Sequence, residues 1–171
     1  MEILSLGSAL KIKGKQTTLL IDPKDAKTAS DIVILLKEQF RKDMLQIEGQ
    51  RLIVTGSGEY EVGGAKISGI QSGLDMAYIL RLDNLDILLA KGNILPKIKD
   101  RVKDIAIAVL CVDAEVAESS IPSLESRVVV LYGNLAKDVA KTLGKETIQQ
   151  VTKYQTTAEK LPAEMEVVVL G

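Results

Sequence analysis

The first half of the chain is a series of short apolar-rich segments separated by turn-forming residues. Segments 3–6, 10–13 and 17–21 are of this kind and read as short strands, with Lys13-Gly14-Lys15 as the hairpin turn between the second and third. Asp22-Pro23 ends the third, because proline lacks the next ladder donor and restricts the residue before it. Segment 31–36 is a continuous apolar run, the pattern of a strand covered on both faces. Segments 52–55, 59–62 and 66–70 repeat the rhythm, punctuated by Gly56-Ser57-Gly58 and Gly63-Gly64. Segments 76–82 and 85–89 form a further hairpin about Asp83-Asn84.

The second half mixes periods. Pro96 suits a first helical position and opens a short helix through Val102. Segments 105–112 and 127–132 read as buried strands. Asn134 is the expected N-cap of a helix in which Leu135, Ala136, Val139, Ala140 and Leu143 share one face before Gly144 closes it. A last strand spans 166–170. Antiparallel strands followed by strands alternating with helices predict two sheets with helices packed outside them. There is no repeat, no low-complexity segment and no linker, so the 171 residues read as a single domain, 1–171.

Composition narrows the functional classes. Apolar residues make up 46% and charged residues 26%, with a net charge of -1, an ordinary globular balance. Interspersed charges give no footprint for nucleic acid or an acidic membrane surface, and no run approaches the roughly 20 apolar residues of a membrane helix. The start, Met1-Glu2-Ile3-Leu4, does not read as a signal peptide. The single cysteine, Cys111, lies in an apolar run and reads as an inert thiol, in keeping with a reducing, cytoplasmic setting.

Not one residue is histidine. This removes the commonest neutral metal ligand and the usual base near neutral pH. Ser8, Ser57 and Ser72 therefore have no imidazole to activate them, and no Ser-x-x-Lys pair stands at a helix start. The glycines at 56–58 and 63–64 lack the strand–loop–helix context of a phosphate cradle and read as turn residues. Asp22, Asp25, Asp75, Asp83, Asp86 and Asp113 sit at predicted strand ends, where aspartate serves turns; they are also the carboxylates from which an unusual metal site would have to be built.

The order of segments resembles the short branch of the metallo-β-lactamase superfamily, the zinc-dependent hydrolases of the β-lactamase fold. The likeness rests on the stretch from Leu6-Gly7-Ser8 to Lys13-Gly14-Lys15, on Thr18-Leu19-Leu20-Ile21-Asp22-Pro23, and on Asp31-Ile32-Val33. It continues through Gly58-Glu59-Tyr60-Glu61-Val62, Lys66-Ile67-Ser68-Gly69-Ile70 and the closing Met165-Glu166-Val167-Val168-Val169-Leu170. It implies a trimmed αββα sandwich, α/β in class, with a zinc site where the strands end.

The ligands that the resemblance implies are missing. After the strand at 31–36 the family carries His-x-His-x-Asp-His; here the histidine positions hold Lys37, Gln39 and Lys42, and the aspartate position holds Arg41. Ammonium and guanidinium groups offer no lone pair and repel a dication. The opening histidine is deleted between Gly7 and Ser8, and the segment Ser72-Gly73-Leu74 is shortened where another would stand. Leu89-Ala90-Lys91-Gly92 replaces the segment with the bridging aspartate, and the last histidine aligns near Tyr132-Gly133-Asn134.

The expectation is a non-catalytic relative with no catalytic residue, no metal ligand and no resident zinc. It would act as a binding or self-associating module, a homodimer or the partner of another protein. One alternative is a metal-dependent hydrolase with a carboxylate site. Another is a regulatory domain that binds an anion through Lys37, Arg41 and Lys42, beside a helix N-terminus.

Overall fold

In the computed structural model, residues 1–7, 9–23, 28–37, 47–117, 119–144 and 149–171 are described. Alternation builds the first sheet. In β1 (Glu2–Leu6) and β2 (Ala9–Lys13), Ile3, Leu10 and Ile12 turn inward while Lys11 and Lys13 turn out. β3 (Thr18–Ile21) pairs antiparallel with β2, then β4 (Ile32–Ile34) and β5 (Leu52–Val54) add in parallel. The expected strand 31–36 is thus shorter, and all three of its residues are buried.

The second sheet contains β6 (Gly58–Val62), β7 (Ala65–Ser72), β8 (Asp75–Leu82) and β9 (Leu85–Lys91) as an antiparallel meander. Asp83 and Asn84 both take positive φ, 52° and 63°, as a two-residue hairpin of primed type requires. β10 (Ile107–Cys111), β11 (Val128–Tyr132) and β14 (Glu166–Leu170) continue it in parallel. Two short strands without a sequence signal complete the sheets: β12 (Gln150–Val151) beside β14, and β13 (Lys153–Gln155) beside β1.

The two sheets pack face to face. Ile3, Leu10, Ile12 and Ile34 from the first meet Ile67, Tyr78, Ile87, Val109 and Val130 from the second in one buried cluster. Each fully buried side chain of this size contributes about 1.5–3 kcal/mol. The strands β9, β10 and β11 are apolar without alternation because their other face is covered too. There Leu88, Ala108, Leu110 and Val129 pack on α1 (Leu95–Ile98) and α2 (Ala136–Thr142). On the outside of the first sheet, Leu20, Val33, Leu35 and Ile47 form a smaller cluster. The fold is therefore mixed α/β, two sheets with few helices.

Two local expectations are corrected. The helix opened by Pro96 is one turn of α-helix, 95–98, between 3-10 turns at 92–94 and 99–101. Asn134 does not cap α2. Leu135 holds the N-cap position, and the Asn134 backbone N–H donates to Asp113 Oδ1 at 2.8 Å.

Candidate functional site

Parallel strands end together, and that places the candidate cleft. β9, β10 and β11 run side by side with Lys91, Cys111 and Tyr132 in one row at their carboxyl ends. In sheets of this kind ligands bind beyond that edge. From the first sheet, β3 is followed by Asp22 and β4 leads to Leu36 and Lys37. The sheets join here, because Lys37 bridges to Asp75 at the start of β8 and the Met76 N–H donates to Leu36 O at 2.8 Å. The Tyr78 hydroxyl, buried between the sheets, donates to Leu35 O at 3.1 Å.

Each carboxylate at this end has an internal partner. Asp22 takes φ 46°, and its Oδ1 accepts the Leu36 N–H at 2.8 Å. Burial raises its pKa most strongly, while the Leu36 hydrogen bond and the Lys91 charge pull it down and Asp75 pushes it up. Asp75 Oδ1 lies 2.6 Å from the Lys91 ammonium, with the two side chains only 24% and 27% exposed. Asp113 accepts the Asn134 N–H through Oδ1 and the Cys111 thiol through Oδ2 at 3.4 Å. Gly133 makes room for that carboxylate: at φ 103°, a Cβ there would lie 2.7 Å from Asp113 Oδ1.

The nucleophiles in the cleft are held protonated. Burial, then the Asp113 charge, pushes the Cys111 thiol up to about 12. Burial also raises Tyr132 well above the ordinary phenol range, with Cys111 and Asp22 adding to it, and raises Tyr78 in the same direction. A cavity of about 340 Å³ opens beside them, lined in part by Gly7, Cys111, Asp113, Asn134 and Gln150. A larger groove of about 470 Å³ lies along β6–β8 among Glu61, Lys66, Ile79 and Arg81. Three of its charges are paired on the surface, Lys66 with Glu61 at 3.9 Å and Arg81 with Asp86 at 3.7 Å, as on an ordinary solvated strand face. The strand-end cavity is the better candidate because Cys111, Asp113 and Tyr132 line it and the Asp22 charge, from beyond β3, acts on Cys111 and Tyr132.

A metal centre needs several unengaged donors around one point. Among the described residues no group of three or more cysteine, aspartate or glutamate side chains is placed to hold an ion. Of the carboxylates at this end, Asp75 is already seated on the Lys91 ammonium.

Of the anion-binding residues expected from the sequence, Lys37 is exposed at the sheet junction; Arg41 and Lys42 lie outside the described residues. Asp22, Asp75 and Asp113 do come to this end, but each is engaged separately rather than converging on one point. The Lys91–Asp75 pair escaped the sequence reading. The sequence placed Lys91 only in Leu89-Ala90-Lys91-Gly92, the segment standing in for the bridging aspartate, and the antiparallel pairing of β8 with β9 is what brings it to Asp75.

No protein-family model matches the chain, and no curated protein matches it in sequence. Solved structures do. A protein assigned as a zinc-dependent hydrolase of the metallo-β-lactamase superfamily, from Thermotoga maritima, has a TM-score of 0.76 at 17% identity, covering 99% of this chain and 98% of that one. A protein assigned as a metal-dependent hydrolase from Parabacteroides distasonis ATCC 8503 has a TM-score of 0.59 at 15% identity, covering 96% and 90%. Zinc-bound PqqB from Methylobacterium extorquens has a TM-score of 0.52 at 9% identity, covering 86% of each chain. The chain has the metallo-β-lactamase fold.

Proposed function

We propose that this chain, built on the metallo-β-lactamase fold, is a non-catalytic counterpart of those hydrolases that acts by binding. It serves as a self-associating module or as the partner of another protein, in a cytoplasmic setting, without a resident zinc ion. The observation that carries the reading is the Lys91–Asp75 ion pair at the carboxyl end of β9. An ammonium on a carboxylate uses up a donor and adds the charge that disfavours a dication. Two further observations support it: both Asp113 oxygens accept hydrogen bonds from the protein, and the thiol beside them is far from its reactive, ionised form.

The test is metal analysis of protein purified without a histidine tag or chelating resin, with hydrolysis assays on phosphodiester and lactone substrates. The expected result is zinc and iron well below one equivalent and no turnover. Near-stoichiometric metal with hydrolysis of either substrate overturns the reading.

A further inference from the structure

We infer that the Lys91 ammonium is the built-in cation of the cleft, a tethered charge that neutralises the carboxylates of both sheets at their junction and holds that junction closed. This deepens the reading above and rests on it for the identity of the cleft.

Three observations converge on Lys91. Its Nζ lies 2.6 Å from Asp75 Oδ1, the geometry of a charge-assisted hydrogen bond rather than a loose surface pair. Asp75 bridges in turn to Lys37, and the adjacent Met76 N–H bonds to Leu36 O, so the paired carboxylate stands where the first sheet touches the second. Asp22, from the first sheet, is near enough to feel both charges, and Lys91 and Asp75 act on it in opposite directions.

Deleting the ammonium would strip Asp75 of its ion-pair partner and leave Asp22 with the unfavourable Asp75 charge but not the favourable Lys91 one. Like charges at a partly buried junction repel more strongly than in bulk water. Two of the solved structures that share this fold are described through zinc, whereas this chain meets the same need for positive charge with a side chain. A lysine cannot activate water as a Lewis acid does, but it can hold strand ends in place.

The other acidic and polar groups near the row do not replace it. Asp113 is occupied by Asn134 and Cys111, while Cys111 and Tyr132 remain neutral. Lys37 reaches Asp75 through the backbone, and its side chain is exposed.

The experiment is a double-mutant cycle of Lys91→Met and Asp75→Asn, read by urea denaturation in the presence of EDTA. Each single variant is expected to lose stability, and the double variant to lose less than the sum, with a coupling of about tenfold in the folding equilibrium. Additive effects, within about twofold, overturn the inference. Should Lys91→Met fail to fold, ¹⁵N-lysine spectra of the wild type decide: one side-chain ammonium signal protected from exchange, lost in Asp75→Asn, is the expected result, and no such signal overturns it. Zinc titrated into the wild type separates the two readings. Stoichiometric uptake that leaves the ammonium signal unchanged overturns only the non-catalytic reading, and uptake that abolishes the signal overturns both.

Discussion

Asp22 combines a left-handed backbone, a buried carboxyl and a hydrogen bond from the Leu36 N–H. Burial raises its pKa, so the folded chain binds its proton more tightly than the unfolded chain does. Its contribution to stability is therefore whole below the ordinary aspartate range and is lost as pH rises through the folded value. Asn tolerates positive φ and keeps an acceptor for the Leu36 N–H. Asp22→Asn should flatten the fall in stability as pH rises above the ordinary aspartate range of about 4, and match or exceed the wild type once the wild-type carboxyl is ionised. Asp22→Ala should cost about 1–3 kcal/mol, since the Leu36 N–H is left without its acceptor. Urea denaturation as a function of pH checks both. The sequence marks Asp22 as the residue before Pro23, a strand end, and as one of six carboxylates at such ends; its hydrogen bond depends on β4 lying parallel to β3.

At the scale of elements, legibility follows how local the cause is. The meander β7–β9 was readable because Asp83-Asn84 supplies its own turn geometry and the alternation on either side chooses the buried face. β12 and β13 were not readable. Two- and three-residue segments carry no period, and they are strands only because Val169 and Ile3 lie opposite them. Asn134 had the right chemistry for a cap, but α2 begins one residue later, with Leu135 at the N-cap, and the Asn134 backbone N–H is tied to Asp113. Close approach of backbones makes one element testable. In β7, a Cβ on Gly69 would lie 2.5 Å from Gly56 O and 3.1 Å from Ser57 Cα, main-chain atoms that cannot swing aside. Gly69→Ala should therefore destabilise the fold by about 1–3 kcal/mol, measured by equilibrium denaturation.

For the whole molecule, the segment after residue 149 acts as a clasp. It passes from β12 in the second sheet to β13 in the first, and the Ser5 N–H donates to Thr152 O at 2.9 Å on the way. The Met1 and Thr156 backbones exchange hydrogen bonds beside it. The sheets still end in β5 and β13, and in β6 and β12. Such edges invite pairing with another chain. β6 resists pairing with itself about Tyr60, since Glu59 would then face Glu61 of a second copy. The proposed homodimer is expected to form through another edge. Sedimentation equilibrium at micromolar concentrations should give twice the mass of the chain, and a monomer throughout that range would count against self-association. No helix among the described residues is long and apolar enough to cross a membrane.

By itself the sequence determined what short-range forces decide: alternation chose the inward faces, turn residues placed the hairpins, and the composition removed histidine from the chain altogether. The segment order also pointed to the fold. Only the tertiary structure decided what stands in the cleft. Lys91 and Asp75 are sixteen residues apart, and Asp22 follows β3 of the other sheet. Whether such charges meet depends on strand register and sheet packing, because a Coulomb interaction follows distance in space and not separation along the chain.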